Sequence, residues 1–564
     1  MLDKLGVGFE EALVMDPCCG AGTFLHFIED HYAQPPEMVG IELDEAASAV
    51  ASKLLVNCRV QHADSLDNGE FDAGGKPLVV IGNPPYSGHS SNPGKISELV
   101  AEYRAGLDER NPKWLQDDYV KFIRMAEHRV AEAGRGVVGF ITNHSFLYNP
   151  TFRVMREHLM RTFDEIYLLD LHGNAKLRRP GDENGRDESI FPIQMGVAIS
   201  LLVKTSNRNA CRVRYSSLQG SRDDKLANLA QMDVSTTEWH DAPAENRFTS
   251  FVPGGFDLAE EYERFASMSD LFSESCVGFV TSRDGFAVGF EKDTLLQRIS
   301  ALRDLQIDPD EIRRRYPVGD LDIEEARRVL TADKNWEKKA VEVLYRPFDR
   351  RWAYLSKSVM ERPRLPFMEG ISRENPALAV GRAGAATGSD VWDVVFCTDC
   401  PADLNLFRRG GARLFPRYIR ANGTRQSNTR LRSYDPDELF NYVYAILHSG
   451  IYRTRYHSFL MMDYPRIPVP DYDPLFCDLS RLGADLMRVH LMRNCGDETA
   501  APPDAHLWIG GYNVPGKYMD DRRNRGLTTE EEKHVSQIKA ALERTQVICA
   551  RIDQLIDDQP PWNS

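Results

Sequence analysis

Asn83-Pro84-Pro85-Tyr86 closes the apolar run Val79-Val80-Ile81-Gly82, and its residue types suit one kind of chemistry. An aromatic amine such as the N6 group of adenine is a poor nucleophile, because its lone pair is delocalised into the ring. Two fixed acceptors that hold its hydrogens out of the ring plane restore that lone pair. The Asn83 side-chain carbonyl and the Pro84 main-chain carbonyl are such acceptors, and Pro84 and Pro85 stiffen the loop in advance. The same acceptors stabilise positive charge on the nitrogen as it takes an alkyl group, so no strong base is required. In-line approach supplies much of the remainder. Tyr86 offers an aromatic face to a base that has left a duplex. Phe191, in Ser189-Ile190-Phe191-Pro192, offers a second stacking wall, with plain core packing as the alternative.

A cofactor site precedes this loop. Val14-Met15-Asp16-Pro17-Cys18-Cys19-Gly20-Ala21-Gly22-Thr23-Phe24-Leu25 reads as a strand, a glycine-bearing turn and a helix. Gly20 and Gly22 allow close approach of backbone to ligand, and Asp16, Cys18, Thr23 and Phe24 are further candidate contacts. The run Val39-Gly40-Ile41-Glu42-Leu43 ends a second strand on an acid suited to both hydroxyls of an unphosphorylated ribose, with Leu43 beside it. A third strand delivers Asp64, placed to accept from an adenine amino group, and Ser65. Helix N-capping is the alternative for each of these acids and the preferred reading for Asp44 and Ser65.

The elements that must position these residues alternate along residues 1–205, the pattern of a parallel sheet with crossover helices. Strands are expected at Ala12–Met15, Met38–Ile41, Arg59–His62, Leu78–Ile81, Gly136–Ile141, Glu165–Asp170 and Val197–Val203, with helices at Glu45–Leu55 and Asp118–Ala133. Open α/β sheets bind ligands at the carboxyl ends of their strands, where the motifs fall. Residues 206–340 read as a connecting region, helical and highly charged over Glu291–Ala332. Residues 341–564 alternate aromatic, proline-rich and helical stretches. A last helix carries Val535, Ile538, Leu542, Cys549, Ile552 and Ile556 on one stripe and is capped at Thr528 or Thr529.

At 564 residues the chain is long enough for two or three domains. It holds no apolar run of about 18 residues that could span a bilayer. Met1-Leu2-Asp3-Lys4 does not open a signal peptide, so the cytoplasm is the default location. Ten scattered cysteines read as reduced thiols. Cys397-Thr-Asp-Cys400 lacks the second pair that would close a zinc site, and no metal is expected. A net charge of −15 excludes indiscriminate coating of nucleic acid. Any DNA contact must be local, and Leu404–Tyr434 is the candidate. It has no acidic residue, and it carries Arg408, Arg409, Arg413, Arg417, Arg420, Arg425, Arg430 and Arg432 among Phe407, Phe415 and Tyr418. A solvated loop is the alternative.

In this order the motifs resemble the gamma-class N6-adenine DNA methyltransferases. Asp16–Leu25 looks like their motif I and Asn83–Tyr86 like motif IV, while Gly139–Asn143 and Phe191-Pro192 look like motifs VI and VIII. Tyr345-Arg346-Pro347-Phe348-Asp349-Arg350-Arg351-Trp352, Tyr442–Ser449 and Trp508-Ile509-Gly510-Gly511-Tyr512 are similar to the type ISP restriction-modification enzymes. There a helicase-nuclease, a methylase and a target-recognition domain share one polypeptide. The resemblance implies an α/β Rossmann-like methyltransferase domain using S-adenosylmethionine, then an α+β target-recognition domain. It implies double-stranded DNA as partner and a role in restriction or phage defence. No GxxxxGK[ST] motif is present, so a motor and nuclease would be an upstream helicase-nuclease chain or another subunit. Motif X, which precedes motif I in this class, has no room before Asp16. That leaves open a non-catalytic recognition subunit, or a fragment needing an upstream chain. The Asn-Pro-Pro-Tyr loop also serves enzymes that methylate protein glutamine or RNA.

Overall fold

The computed structural model describes residues 8–562 except 68–71, 87–95, 108–112, 174–186, 192–194, 206–209, 243–248, 254–257, 383–390, 409–410, 422–423, 472 and 494–507. The chain forms two compact units, Met1–Gly254 and Gly255–Ser564.

The first unit is built on a sheet of nine strands among the described residues. In chain order they are β1 (Leu13–Asp16), β2 (Glu37–Glu42), β3 (Cys58–His62), β4 (Leu78–Gly82), β5 (Gly136–Asn143), β6 (Glu165–Asp170), β7 (Val197–Lys204), β8 (Arg212–Ser217) and β9 (His240–Asp241). Their order across the sheet is β3-β2-β1-β4-β5-β7-β6-β8-β9. The strands from β3 to β5 are parallel, and β1, β2 and β4 are close to continuous apolar runs, as expected of strands covered on both faces. The chain winds outward from β1 to β3 and then returns to the other side of β1 as β4. The strand order therefore reverses between β1 and β4, and a crevice opens beyond their carboxyl ends.

The expectation of a parallel sheet holds for these five strands. It fails at β7, which runs antiparallel to both β5 and β6. β7 begins at Val197, six residues after Phe191 (197 minus 191), and among the described residues no helix lies between β6 and β7. The region 206–340 is not a separate body. Its first part adds β8, β9 and the helix Arg222–Leu229 to the first unit, and the remainder belongs to the second. The short, partly polar strands Arg212–Ser217 and His240–Asp241 lie at the sheet edge, where one exposed side blurs the apolar pattern.

The second unit mixes helices with small antiparallel sheets. One sheet orders Cys276–Val277, Ala412–Pro416, Ala377–Gly381 and Val395–Thr398. Another orders Val288–Gly289, Asp349–Tyr354 and Ala340–Arg346. Three helices, Pro436–His448, Pro474–His490 and Thr529–Asp558, form its main helical layer. The first two cross closely because Gly483 has no side chain: a Cβ there would lie 1.9 Å from the Asn441 carbonyl oxygen. The last helix begins at the expected cap. Thr528 and Glu531 form a reciprocal capping box, and Val535, Ile538, Leu542, Ile552 and Ile556 are buried. Cys397 and Cys400 are buried. Among the described residues, no helix is long and apolar enough to cross a membrane.

Candidate active site

Asp16 ends β1 and is almost fully buried, and its Oδ1 accepts the Cys18 main-chain N–H at 3.1 Å. Burial raises its carboxyl to about 7, opposed by the Cys18 hydrogen bonds and assisted by the nearby Glu42 charge. Gly82, at the end of β4, makes room for it: a Cβ at that position would lie 2.9 Å from Asp16 Oδ1. Burial, with Asp16 and Glu42 adding like charge, also pushes the Cys18 thiol far up, so this cysteine is no thiolate nucleophile.

The turn after β1 is held from below by Glu42. One carboxylate oxygen accepts the Gly20 N–H and the other the Asp44 N–H, each at 2.8 Å. Gly20 and Gly22 both have positive φ. A Cβ at Gly22 would meet Leu55 at 2.9 Å, whereas one at Gly20 would meet nothing within 4 Å. Gly22 is therefore required by packing, and Gly20 by a backbone that turns an open side outward. Thr23 begins the following helix, and Phe24 and Leu43 are exposed apolar side chains on the flanking segments. Asp44 caps the helix Glu45–Leu54 by accepting the Ala47 N–H at 2.8 Å.

Beyond β3, Asp64 Oδ1 accepts the Leu66 N–H at 2.9 Å. Among the described residues Ser65 caps no helix. It is buried, and its hydroxyl donates to the Pro17 carbonyl, which fastens the β3 end to the turn after β1. An open glycine turn, an acid at each of three strand ends and exposed apolar side chains beside them fit a cofactor with a ribose, an adenine and a cationic methionine end.

Asn83 is exposed, Pro84 buried and Tyr86 half-buried. The Tyr86 hydroxyl stands 2.7 Å from Asn83 Oδ1 and 3.0 Å from the carbonyl oxygen of Ile141 on β5, with one hydrogen to share between them. Tyr86 therefore orients the Asn83 amide as well as presenting a ring, a role that the types and spacing of the residues do not reveal. Asn83 Oδ1 keeps a lone pair for a second donor. Tyr86 and Phe191 pack against one apolar cluster, Leu169, Leu171, Ile190 and Val197. Pro192 lies outside the described residues.

Beside this cluster, His144, Asp170 and His172 bring donor atoms within 4.8 Å of one another, the only such group with metal-ligating side chains among the described residues. Their atoms serve one another. Asp170 accepts from His144 Nδ1 at 3.0 Å, the His172 N–H at 2.9 Å and the Tyr215 hydroxyl at 3.3 Å. Burial pushes the Asp170 carboxyl up, but the two histidines outweigh it and hold the group below its usual value. We read the group as a hydrogen-bonded brace.

In the second unit the candidate arginines separate. Arg413 donates to Ser275 Oγ at 3.0 Å and to the Tyr464 hydroxyl at 3.3 Å. Arg417 pairs with Asp437 at 3.2 Å. These two half-buried arginines are tied to neighbouring side chains of the second unit. Phe407 and Phe415 are core. Arg408, Arg420, Arg425, Arg430 and Arg432 are exposed, and Arg409 lies outside the described residues. Arg420 and Arg425 sit directly opposite each other on the ribbon Tyr418–Ala421/Thr424–Ser427.

The match of a family model marks the first unit as a methyltransferase domain of the restriction-modification kind, with S-adenosylmethionine as its cofactor. The Eco57I restriction-modification methylase model matches residues 40–177. The chain belongs to the Type ISP family, since the model of the Type ISP C-terminal specificity domain matches residues 270–552. Three solved structures share the fold over 98% of this chain. They are a DrdV-DNA complex (20% identity, TM-score 0.72), a nuclease-deletion mutant of the Type ISP enzyme LlaGI with a DNA substrate mimic (18%, 0.73) and the ATP-dependent Type ISP enzyme LlaBIII bound to DNA (18%, 0.70). The chain spans 67%, 54% and 45% of their respective lengths. No protein of curated function matches it in sequence.

Proposed function

We propose that the first unit methylates the N6 amino group of an adenine flipped out of double-stranded DNA, and that the second unit reads the target. One observation carries this reading. Asn83 stands at the end of β4, beside the Gly20 turn at the end of β1, with its Oδ1 oriented by Tyr86. Adjacent parallel strands ending in a glycine turn and in an amide oxygen support an acceptor for an aromatic amine beside the cofactor. S-adenosylmethionine supplies an electrophilic methyl group. Asp16, Cys18, Gly20, Gly22, Thr23, Phe24, Glu42, Leu43, Asp64 and Ser65 line or brace its site. Asn83 Oδ1 and the Pro84 carbonyl hold the amine hydrogens, and Tyr86 and Phe191 stack on the base, which cannot react inside the duplex.

The DNA in the three solved neighbours supports a DNA substrate here. The exposed arginines of the second unit are the proposed phosphate or base contacts, above all Arg408 and Arg420. Cleavage and translocation fall, in this reading, to helicase-nuclease polypeptide beyond these residues. The experiment is methyl transfer from labelled S-adenosylmethionine to duplex DNA, RNA and protein, with any flanking polypeptide the reaction needs. Label in DNA is expected. Label confined to RNA or protein would overturn the assignment.

A further inference from the structure

Lys225 is fully buried, in a part of the chain whose sequence suggests no more than a linker. Its helix, Arg222–Leu229, starts at the cap Ser221 and packs behind the segment that carries Phe191. The Lys225 ammonium has three hydrogens and meets three acceptors. These are the Leu171 carbonyl at 2.7 Å, the Glu188 carbonyl at 2.7 Å and Asp187 Oδ1 at 2.6 Å. Leu171 lies just beyond β6, and Glu188 just before Ile190 and Phe191. One side chain therefore ties together two stretches of chain seventeen residues apart (188 minus 171).

Asp187 extends the tie. Its Oδ2 accepts the Gly173 N–H at 2.6 Å, and its Oδ1 also accepts the Gly220 N–H at 3.1 Å. Gly173 has a φ of 80°, and a Cβ there would lie 2.5 Å from the Ser189 Cα, so the two stretches touch backbone to backbone. The Glu188 side chain accepts the Arg222 N–H at 3.0 Å, and the Glu188 N–H donates to the Gly220 carbonyl at 3.0 Å. The apolar cluster under Phe191 is completed by Leu218, Leu229, Met232 and Trp239, all from the same region.

Burying an ammonium costs several kcal/mol unless it is paired and hydrogen-bonded. A methionine or leucine would fill the same space without that cost, so the lysine secures geometry that packing alone would leave loose. We propose that Lys225, with Asp187, is a positioning residue for methyl transfer: it fixes the Ser189–Phe191 segment so that the Phe191 wall faces Tyr86 at the separation a flipped base requires. This rests on the reading of Phe191 as a base-stacking wall. Residues 212–241 are then part of the catalytic machinery, acting from behind the substrate pocket.

The test compares Lys225→Met, Lys225→Arg, Asp187→Asn and Phe191→Ala in steady-state methylation of unmodified DNA, with S-adenosylmethionine binding and thermal unfolding measured alongside. Asp187 is half-buried at the rim, so Asp187→Asn preserves folding if Lys225→Met does not. Misplacing a substrate-positioning group by about 1 Å costs on the order of 100-fold. A loss of about tenfold or more in kcat/KM for DNA is therefore expected for Lys225→Met, and a smaller loss for Asp187→Asn, with cofactor affinity within about twofold of the parent. Lys225→Arg, which keeps the charge and donors, should recover part of the rate. If Phe191→Ala impairs methylation but folded Lys225→Met or Asp187→Asn stays within about twofold of the parent, the positioning role is wrong. If Phe191→Ala itself has no effect, the base-wall reading fails first. A loss that Lys225→Arg does not relieve and that cofactor affinity shares would mark a general structural role and overturn the proposal.

Discussion

The strand-end loops of the first unit and the arginine segment of the second both stand out in the sequence, and the fold treats them differently. Asp16, Gly20, Glu42 and Asn83 converge on one crevice, because β1, β2 and β4 are adjacent and parallel. The described arginines between Leu404 and Tyr434 differ in exposure and partners. Arg413 and Arg417 face inward to Ser275, Tyr464 and Asp437, while Arg408, Arg420 and Arg425 face outward. A motif whose chemistry lies within a few consecutive residues keeps its meaning once folded. The role of an arginine depends on partners more than a hundred residues away in sequence, as with Ser275 and Arg413.

That contrast can be broken most severely at Asn83. Asn83→Ala removes an acceptor that works mainly in the transition state, so kcat should fall by about 100-fold or more while cofactor affinity holds. Loss of cofactor binding with unchanged kcat would mean that the loop belongs to the cofactor rather than the base. The arginines give the next effect. Replacing Arg413 and Arg417 with alanine should lower stability, by about 1–3 kcal/mol for each group of hydrogen bonds removed, and leave the salt dependence of DNA binding unchanged. Replacing Arg420 and Arg425 should do the reverse, reducing the salt slope by roughly 1 for each arginine that neutralises a phosphate. Equal effects from the two pairs would erase the distinction.

The smallest effect concerns pH. Burial raises Asp16 to about 7, so below that value the group is largely protonated and contributes no charge. Its charge appears as pH rises through about 7, and affinity for the cationic cofactor should rise with it. By the same sign, the buried carboxyl favours folding below its unfolded value near 3.8 and loses that contribution as pH climbs to about 7. Asp16→Asn should flatten both profiles. An affinity profile that keeps its slope in the variant would assign that titration to a group other than Asp16.

Much of the first unit was legible. Its seven expected strands all form, and β1, β2 and β4 are the plainest of them, because buried parallel strands are short apolar runs ending in polar turns. The partly polar strand Arg212–Ser217 and the two-residue edge strand His240–Asp241 leave no such run in the sequence. Lys225 was invisible for a related reason. A lone lysine in a polar helix reads as solvated, and only the fold shows its three acceptors. The Tyr86 hydroxyl bond to Ile141 was hidden as well, because it joins residues on separate strands. Thr528 and the stripe ending at Ile556 were readable apart from Cys549, which is half-buried, since capping and helical periodicity are local.

The most direct measurement is base composition of DNA from cells expressing the chain with its neighbouring gene products, compared with cells carrying Asn83→Ala. N6-methyladenine at a defined sequence, present with the wild-type chain and absent with the variant, is the expected result. Methylcytosine, or N6-methyladenine that persists in the Asn83→Ala cells, would contradict it.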